Sequence, residues 1–160
     1  NLRYDFASPF AEGLACLRIG DEWSFIDKSG EIVTKHPSHG LTYFSEGLAE
    51  VLIDDKFGFI DKNGEMVIGP QFDGVSSFSE GLSVVEINNK WGIINKNGEM
   101  VIKPQFDYAN SFSEGLAVVE IDGKSGFIDH SGDFVIKPQF ASADSFSEGL
   151  APVMIKRTQE

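Results

Sequence analysis

The sequence has one cysteine, no long hydrophobic run and few positive charges. Cys16 cannot form a disulfide within the chain, and its alternating apolar neighbours are typical of an inert buried thiol. No apolar segment approaches the roughly 18 residues of a membrane-spanning helix, so membrane insertion is not expected. The chain begins at Asn1 without a signal peptide; we expect that an upstream region has been removed, and cytoplasmic and exported locations both stay open.

Positive charge is scarce relative to negative charge. The 160 residues include 13 Lys and Arg against 25 Asp and Glu, which gives a net charge of −12. A polyanionic backbone would be repelled by such a chain, so a nucleic-acid partner is excluded. Anionic membrane surfaces are disfavoured for the same reason. A basic protein or polymer remains compatible with this charge.

One phrase, Phe-Ser/Ala-Glu-Gly-Leu, occurs five times at a constant interval of 34 residues. Its copies begin at Phe10, Phe44, Phe78, Phe112 and Phe146. A constant period of this length indicates a repeat architecture, and a unit of 34 residues is too small to bury a core alone. We therefore predict a single repeat domain over 1–160, with mutually stabilising units of approximately 4–38, 39–71, 72–105 and 106–139 and a partial unit at 140–160.

Each unit reads as a three-stranded meander, because three short β-branched runs are separated by turn residues and no helical period is present. The first turn (Asp54-Asp55, Asn88-Asn89 or Asp122-Gly123) predicts a two-residue type I′ hairpin. That loop would place Ile121 opposite Lys124 and Ala117 opposite Ile128. The second turn (Asn63-Gly64 or Ser131-Gly132, for example) predicts a type I turn with a glycine bulge, since serine disfavours positive φ.

The register predicts one wholly apolar sheet face and one mixed face, so that both would be covered by neighbouring units. Gly58, Gly92 and Gly126 lie on the apolar face, where a neighbour's backbone or side chain would approach closely. The Pro-Gln-Phe segments at Pro70, Pro104 and Pro138 are predicted to end the third strand, because proline has no N–H for the ladder. Their phenylalanines would fill the junction between units.

The ends of the chain favour an open, solenoid-like array over a small closed propeller-like ring. Residues 146–155 repeat only the first strand of a unit, whereas a ring closed by strand exchange needs complementary ends. Three strands per unit are also fewer than the four of a propeller blade. Pro152 and the Lys156-Arg157 pair would interrupt the last strand and protect its edge from pairing.

The aromatic-Gly-aliphatic-Ile-Asp/Asn-Lys-Asn-Gly-Glu segments (57–65 and 91–99), together with Pro-Gln-Phe and Phe-Ser-Glu-Gly-Leu, resemble the WG repeat family over nearly the whole chain. The signature tryptophan is present as Trp23 and Trp91 and is replaced by Phe57 and Ser125. The resemblance implies a bacterial β-rich repeat protein that acts in recognition. It implies no catalytic residues.

Five glutamates recur within the repeated phrase: Glu12, Glu46, Glu80, Glu114 and Glu148. They could form an acidic row for cations or a basic partner. We favour a structural role, in which each carboxylate accepts backbone N–H groups of its own turn. The calcium-loop likeness of 61–65 is likewise better explained as a hairpin turn, because later ligands are missing. His36 and His39 are too few for a zinc site and are interpreted as solvated loop residues, so no metal or cofactor is predicted.

Positions that vary between the repeats suggest a binding surface. The linker after Pro-Gln-Phe offers Phe6 and Tyr108, with Tyr43 in the irregular first linker and Asp73 and Asp107 beside them. Packing between units is the favoured role of these aromatics. We expect a non-enzymatic, monomeric scaffold that recognises a protein or surface polymer. The alternatives are a carbohydrate-binding module using Tyr108 and Trp91, and a hydrolase that uses scattered acids.

Overall fold

The computed structural model describes residues 4–36 and 39–155, and every regular element in these ranges is a β-strand. The all-β prediction is therefore confirmed. In the same ranges, no helix has the length and apolar character needed to cross a membrane. Pro152 immediately precedes the last strand, whereas the predicted edge-blunting pair Lys156-Arg157 lies outside the described residues.

Sixteen strands form four antiparallel sheets, in each of which the strands lie side by side in chain order. Sheet 1 consists of β1 (Phe6–Ala7), β2 (Ala15–Ile19), β3 (Glu22–Ile26) and β4 (Ile32–His36). Sheet 2 consists of β5 (Gly40–Leu41), β6 (Ala49–Ile53), β7 (Lys56–Ile60) and β8 (Met66–Phe72). Sheet 3 consists of β9 (Gly74–Val75), β10 (Leu82–Ile87), β11 (Lys90–Asn95) and β12 (Met100–Phe106). Sheet 4 consists of β13 (Tyr108–Ala109), β14 (Ala117–Ile121), β15 (Lys124–Ile128) and β16 (Phe134–Phe140). The short strands β17 (Ser142–Ala143) and β18 (Val153–Met154) pair with each other. Among the described residues, no sheet closes on itself.

Each sheet has one strand more than the predicted three. The additional strand is only two residues long and lies shortly before the repeated phrase, as when Tyr108 pairs with Glu120 and Ala109 with Val119. A two-residue strand is too short to show alternation in the sequence, which is why the pattern did not reveal it. The four strands match the number in a propeller blade, so strand count no longer argues against that fold.

The first turn has the predicted geometry. Ile121 lies opposite Lys124, Val119 opposite Gly126 and Ala117 opposite Ile128. Both loop residues have positive φ, 51° at Asp122 and 69° at Gly123, which is the type I′ arrangement. The two sheet faces are therefore assigned as the sequence indicated.

The second turn is a type I turn with a glycine bulge, also as predicted. In sheet 2 the Gly64 N–H donates to the Asp61 carbonyl at 3.0 Å, and the Asp61 N–H donates to the Glu65 carbonyl at 2.9 Å. Gly64 has a φ of 82°. Asp61 Oδ1 accepts the N–H groups of Asn63 and Glu65, both at 2.9 Å. This carboxylate therefore stabilises the hairpin that was preferred to a calcium loop.

The prediction that proline ends the third strand is wrong, because β8, β12 and β16 continue through Pro70, Pro104 and Pro138. These strands are the last in their sheets, so the missing N–H removes no ladder bond on the outer side. A bulge accompanies each proline: Trp91 pairs with Phe106 but Ile93 pairs with Ile102, so that residues 103–105 pass over one residue of β11.

The bulge explains the glycine that follows the aromatic residue. A Cβ on Gly92 would lie 2.6 Å from the Ile102 carbonyl oxygen and 2.8 Å from the Pro104 nitrogen. The predicted close approach thus occurs, and the neighbour is backbone of the same sheet. Sheet 1 has Ser24 at this position. There β3 and β4 pair residue for residue from Trp23 to Phe25, with Ser24 opposite Lys35, so a side chain can be accommodated.

The chain divides into two compact units, Asn1–Ser77 and Phe78–Glu160. In the first unit, Cys16 and Phe25 of sheet 1 pack against Val51 and Ile60 of sheet 2. Burial raises the pKa of the Cys16 thiol to about 12, as expected for an inert cysteine.

In the second unit, Ile93 and Phe106 of sheet 3 pack against Val119 and Ile128 of sheet 4. Phe106 is the phenylalanine of a Pro-Gln-Phe segment, and its burial within this core agrees with its predicted place between neighbouring repeats. Each unit therefore has a core between two stacked sheets. That the whole chain acts as one repeat domain stays a prediction.

Candidate functional site

The repeated phrase forms a tight hairpin in which glutamate has an unusual backbone conformation. Ala11 and Leu14 exchange both backbone hydrogen bonds, at 2.8 and 3.0 Å, around Glu12 and Gly13. The φ angles of these two loop residues are 51° and 90°, typical of a type I′ turn. All five glutamates have φ between 51° and 54°. Glutamate is rarely found in this region, so its side chain must serve a purpose that asparagine or glycine would not.

Three of the glutamate carboxylates connect their hairpin to the next one within the same compact unit. Within the units, Gly47 N–H donates to Glu12 at 3.0 Å, Gly115 N–H to Glu80 at 3.1 Å, and Gly149 N–H to Glu114 at 2.9 Å. The favoured structural role therefore fits, but the prediction that each glutamate serves its own turn is wrong for these three. The donor in each case is the loop glycine of the following repeat, whereas the Ala11 and Leu14 N–H groups of the first turn donate across their own hairpin.

Basic side chains and serines strengthen these connections. Lys62 Nζ lies 3.1 Å from the Glu12 carboxylate, and His130 Nε2 lies 2.7 Å from that of Glu80. Burial acts to raise the pKa of Glu80, but the hydrogen bonds from His130 and Gly115 outweigh it and keep this pKa below its usual value. The hydroxyl of Ser79 donates to the Phe112 carbonyl at 2.8 Å. The recurring acids are thus largely engaged in the fold.

The two aspartates of the predicted binding surface also have partners within the chain. Asp107 accepts from Lys90 at 2.5 Å and from the Asp122 N–H at 2.8 Å. The Lys90 hydrogen bond is the main reason why the pKa of Asp107 lies below its usual value. Asp73 pairs with Lys56. Asp73 and Asp107 each lie between the last strand of one sheet and the two-residue strand that begins the next. Their bonds hold this junction to hairpin residues, so both carboxylates serve the fold.

The aromatic members of the predicted surface are all exposed to solvent. Phe6 and Tyr43 belong to the first unit and Tyr108 to the second; their exposed fractions are 47%, 51% and 46%. Tyr108 lies against Trp91 with the ring centroids 6.2 Å apart, and Phe6 lies 5.7 Å from Trp23. The residue equivalent to Phe6 and Tyr108 in sheet 2 is Gly40, so Tyr43 lies outside this repeated position.

A repeated apolar feature was missed in the sequence. The first two residues of the last strand of every sheet are large, apolar and 38–57% exposed. These residues, named here the outer apolar pairs, are Ile32-Val33, Met66-Val67, Met100-Val101 and Phe134-Val135. Each pair follows an exposed acidic residue: Glu31, Glu65, Glu99 or Asp133. Consecutive apolar residues read as buried strand, and only the position of these strands at the sheet edge exposes them.

Sheet 1 carries a second feature, named here the Trp23 row. Phe6, Arg18, Trp23 and His36 lie opposite one another across the four strands. The Arg18 guanidinium carbon lies 5.8 Å from the Trp23 ring centroid. His36 is half-buried within β4, so its interpretation as a solvated loop residue is wrong, whereas His39 is exposed ahead of β5. Burial lowers the pKa of His36.

Two cavities adjoin the Trp23 row. One, of about 270 Å³, is lined by Asp21, Glu22, Trp23, Lys35 and His36. The other, of about 350 Å³, is lined by Arg18, Asp21, Trp23 and His39. Nowhere in the described residues do three or more His, Cys, Asp or Glu side chains come together in a way that could hold a metal ion. The row therefore combines an aromatic surface with basic groups.

Solved structures with a similar fold are distant in sequence. A eukaryotic initiation factor has 12% identity and a TM-score of 0.67, with 95% of this chain and 50% of that chain covered. BamB from Moraxella catarrhalis has 9% identity, a TM-score of 0.52 and coverages of 96% and 58%. Hsv2 from Kluyveromyces marxianus has 10% identity, a TM-score of 0.53 and coverages of 84% and 48%. BamB and Hsv2 are propeller proteins, so the likeness is one of fold. The chain spans less than two thirds of each of these proteins.

No curated protein matches the sequence. The model of the WG containing repeat matches five consecutive segments, 1–23, 23–57, 57–91, 91–124 and 126–156. The first segments meet at Trp23, Phe57 and Trp91, and the last two are separated by Ser125. These four residues occupy the signature aromatic position of the repeat. With nearly its whole length matched, this chain belongs to the WG containing repeat family.

Proposed function

We propose that this chain is a non-enzymatic repeat scaffold that recognises a protein partner through its outer apolar pairs. The observation that supports this proposal is that the same exposed pair recurs in all four sheets. Large apolar side chains that stay 38–57% exposed at equivalent positions are available for contact with a partner. The engagement of the recurring carboxylates in the fold also supports a non-catalytic role.

The chemistry of the outer strands suggests the kind of partner. Each outer strand is the last of its sheet, so its outward N–H and C=O groups have no strand partner among the described residues. An extended segment could add to such an edge. Because an acidic residue precedes every pair and the net charge is −12, the complementary segment would carry apolar side chains beside Lys or Arg. A basic surface polymer would share the charge but not the apolar contacts.

The experiment is selection of binding peptides from a random displayed library, followed by affinity measurement. We expect the selected sequences to combine apolar and basic residues. Replacing Val67, Val101 and Val135 with threonine keeps the branched shape but adds a hydroxyl, and should weaken binding by about tenfold or more. Ile19→Thr is the matched control, because Ile19 is 43% exposed but lies at a hairpin tip away from the outer strands.

The proposal fails if no peptide is selected, or if the triple variant binds as tightly as the Ile19→Thr control. Selected sequences that are purely basic and bind the triple threonine variant with unchanged affinity would instead favour a polymer partner.

A carbohydrate-binding role is the second candidate, supported by the exposed Tyr108 ring beside Trp91. Paired aromatic rings can stack against the apolar faces of sugars. Screening against an array of glycans tests this role directly. Binding that is lost in Tyr108→Ala and retained in the threonine variants would favour the second candidate over the first.

A further inference from the structure

We propose that the Trp23 row and the cavity beside it form a binding site for a small organic carboxylate, whose ring or apolar body packs on Trp23. This site lies in the first unit and is separate from the outer apolar pairs. Its basic residues differ from those at the equivalent positions of the other repeats, whereas the outer apolar pairs of the proposed protein recognition recur in every sheet.

Three residues near Trp23 differ from the residues at the equivalent positions of the other repeats, and all three are basic. Arg18 stands where the other repeats have Leu52, Glu86 and Glu120. His39 stands where the later linkers have Asp73 and Asp107. His36 pairs with Trp23 in the way that Phe72 pairs with Phe57. A side chain required by the fold would recur in every repeat, so three exceptions that line neighbouring cavities point to a local function.

Basic side chains are more concentrated here than in the rest of the chain. The chain has a net charge of −12 and only three histidines, two of which line these cavities. Arg18 is the sole arginine among residues 4–36 and 39–155. Lys35 is paired with Glu22 at 3.0 Å, so its charge is already balanced. The acidic residues that line these cavities are Asp21 and Glu22, and the Glu22 carboxylate is the one paired with Lys35.

The geometry of Arg18 suits a carboxylate. Its Nε donates to the Gly20 carbonyl at 2.8 Å, which fixes the guanidinium plane. Its two terminal amino groups make no hydrogen bond to any described residue, so they are available for two parallel bonds to one carboxylate. The cavity that Arg18 shares with Asp21, Trp23 and His39 has a volume of about 350 Å³, sufficient for a ring-sized ligand.

The aromatic surface indicates that the ligand has an apolar part in addition to its charged group. The Trp23 side chain is half-buried, and the Phe6 ring lies 5.7 Å away at the other end of the row. An inorganic anion would leave these rings in water. A carboxylate attached to a ring can contact Arg18 and an aromatic face together, so binding should require both parts of the ligand.

The experiment uses tryptophan fluorescence of a Trp91→Phe protein, in which Trp23 is the single tryptophan. Phenylalanine already occupies the equivalent position at Phe57, so this background should fold. The probes are cyclohexanecarboxylate, cyclohexanemethanol, which lacks the charge, and acetate, which lacks the ring. We expect saturable binding of cyclohexanecarboxylate, and binding that is about tenfold or more weaker for each of the other two.

Arg18→Glu in this background should abolish binding, and glutamate is tolerated at the equivalent Glu86 and Glu120. Lys124→Glu is the matched control, because it makes the same charge change at an exposed hairpin tip. The first repeat already has glutamate, Glu22, at the equivalent position. Binding should persist in that control. If Arg18→Glu does not fold, His39→Asp, which recreates the residue of the later linkers, should weaken binding in its place.

The proposal is overturned if cyclohexanecarboxylate gives no saturable signal, if acetate binds equally well, or if folded Arg18→Glu binds as tightly as the Lys124→Glu control. The triple threonine variant of the outer apolar pairs should bind cyclohexanecarboxylate normally. The failure of either proposal is therefore distinguishable from the failure of the other.

Discussion

At the scale of single residues, the contrast between Gly92 and Ser24 shows how one position responds to its neighbours. Both follow the signature aromatic residue, but a bulge passes over Gly92, whereas regular pairing leaves room at Ser24. The Cβ of any substituent at Gly92 would collide with backbone atoms at 2.6 and 2.8 Å, and backbone cannot move away as a flexible side chain can.

We therefore predict that Gly92→Ser lowers the free energy of unfolding by about 2–3 kcal/mol. The reverse change at the equivalent position, Ser24→Gly, should cost only about 0.5–1 kcal/mol, the ordinary cost of glycine in a strand. Urea unfolding of both variants measures the two effects. Equal losses would show that the bulge does not determine which residue is tolerated.

The left-handed glutamates allow a second test at this scale. Asparagine adopts positive φ more easily than glutamate, so Glu80→Asn improves the turn while removing the bonds to Gly115 and His130. We predict a net loss of about 1 kcal/mol in the free energy of unfolding. Glu148 has the same φ but no side-chain hydrogen bond to a described residue, so Glu148→Asn should be neutral or slightly stabilising. Stabilisation by both changes would mean that the connection between hairpins contributes nothing.

At the scale of elements, hairpins could be predicted from sequence far better than their connections. The Asp122-Gly123 loop was sufficient to determine the register of sheet 4, because a two-residue turn allows one pairing. The hydrogen bond from Gly115 to Glu80 spans 35 residues, and no local pattern contains it. Pro104 was misjudged because strand rules assume a paired N–H, and the edge position of β12 became known only from the fold.

The same limits apply to the candidate sites. Phe6 and Tyr108 stood out in the sequence because they vary, but the sequence could not show which aromatic rings or charged groups they contact. Arg18 and Trp23 are five residues apart in the chain and become neighbours only when the first hairpin forms. The outer apolar pairs look like any buried strand until the sheet edge is located. The period therefore identifies the repeated residues, but it does not show which of their side chains are exposed to solvent.

An engineered connection tests the account of the hairpins. Ser79 and Ser113 each donate a hydroxyl to a phenylalanine carbonyl of the following repeat, at 2.8 Å, but the first phrase has Ala11 instead. We predict that Ala11→Ser creates the same bond to the Phe44 carbonyl and raises the free energy of unfolding by about 0.5–1 kcal/mol. Ala7→Ser, at an exposed position of β1, is the control and should change little. A destabilised Ala11→Ser protein would contradict the equivalence of the repeats.

At the scale of the whole molecule, the excess of acidic residues should set the response to salt. The ion pairs Lys56–Asp73, Lys90–Asp107 and Lys62–Glu12 are in contact with solvent, so each contributes little to the stability of the fold. Screening weakens these pairs but also weakens the repulsion that a net charge of −12 creates in a compact chain. The repulsion involves many more charges, so we expect its relief to be the larger effect.

We predict that raising NaCl from about 10 mM to about 0.5 M at pH 7 increases the urea midpoint, because the screening length falls from about 30 Å to below about 10 Å. Repeating the measurement near the isoelectric point, pH 4.6, provides the control: with little net charge, the gain should disappear. Sucrose of equal osmolality separates screening from general exclusion of solutes. A midpoint that falls with NaCl at pH 7 would show that the exposed ion pairs, rather than the acidic excess, dominate the electrostatics of this chain.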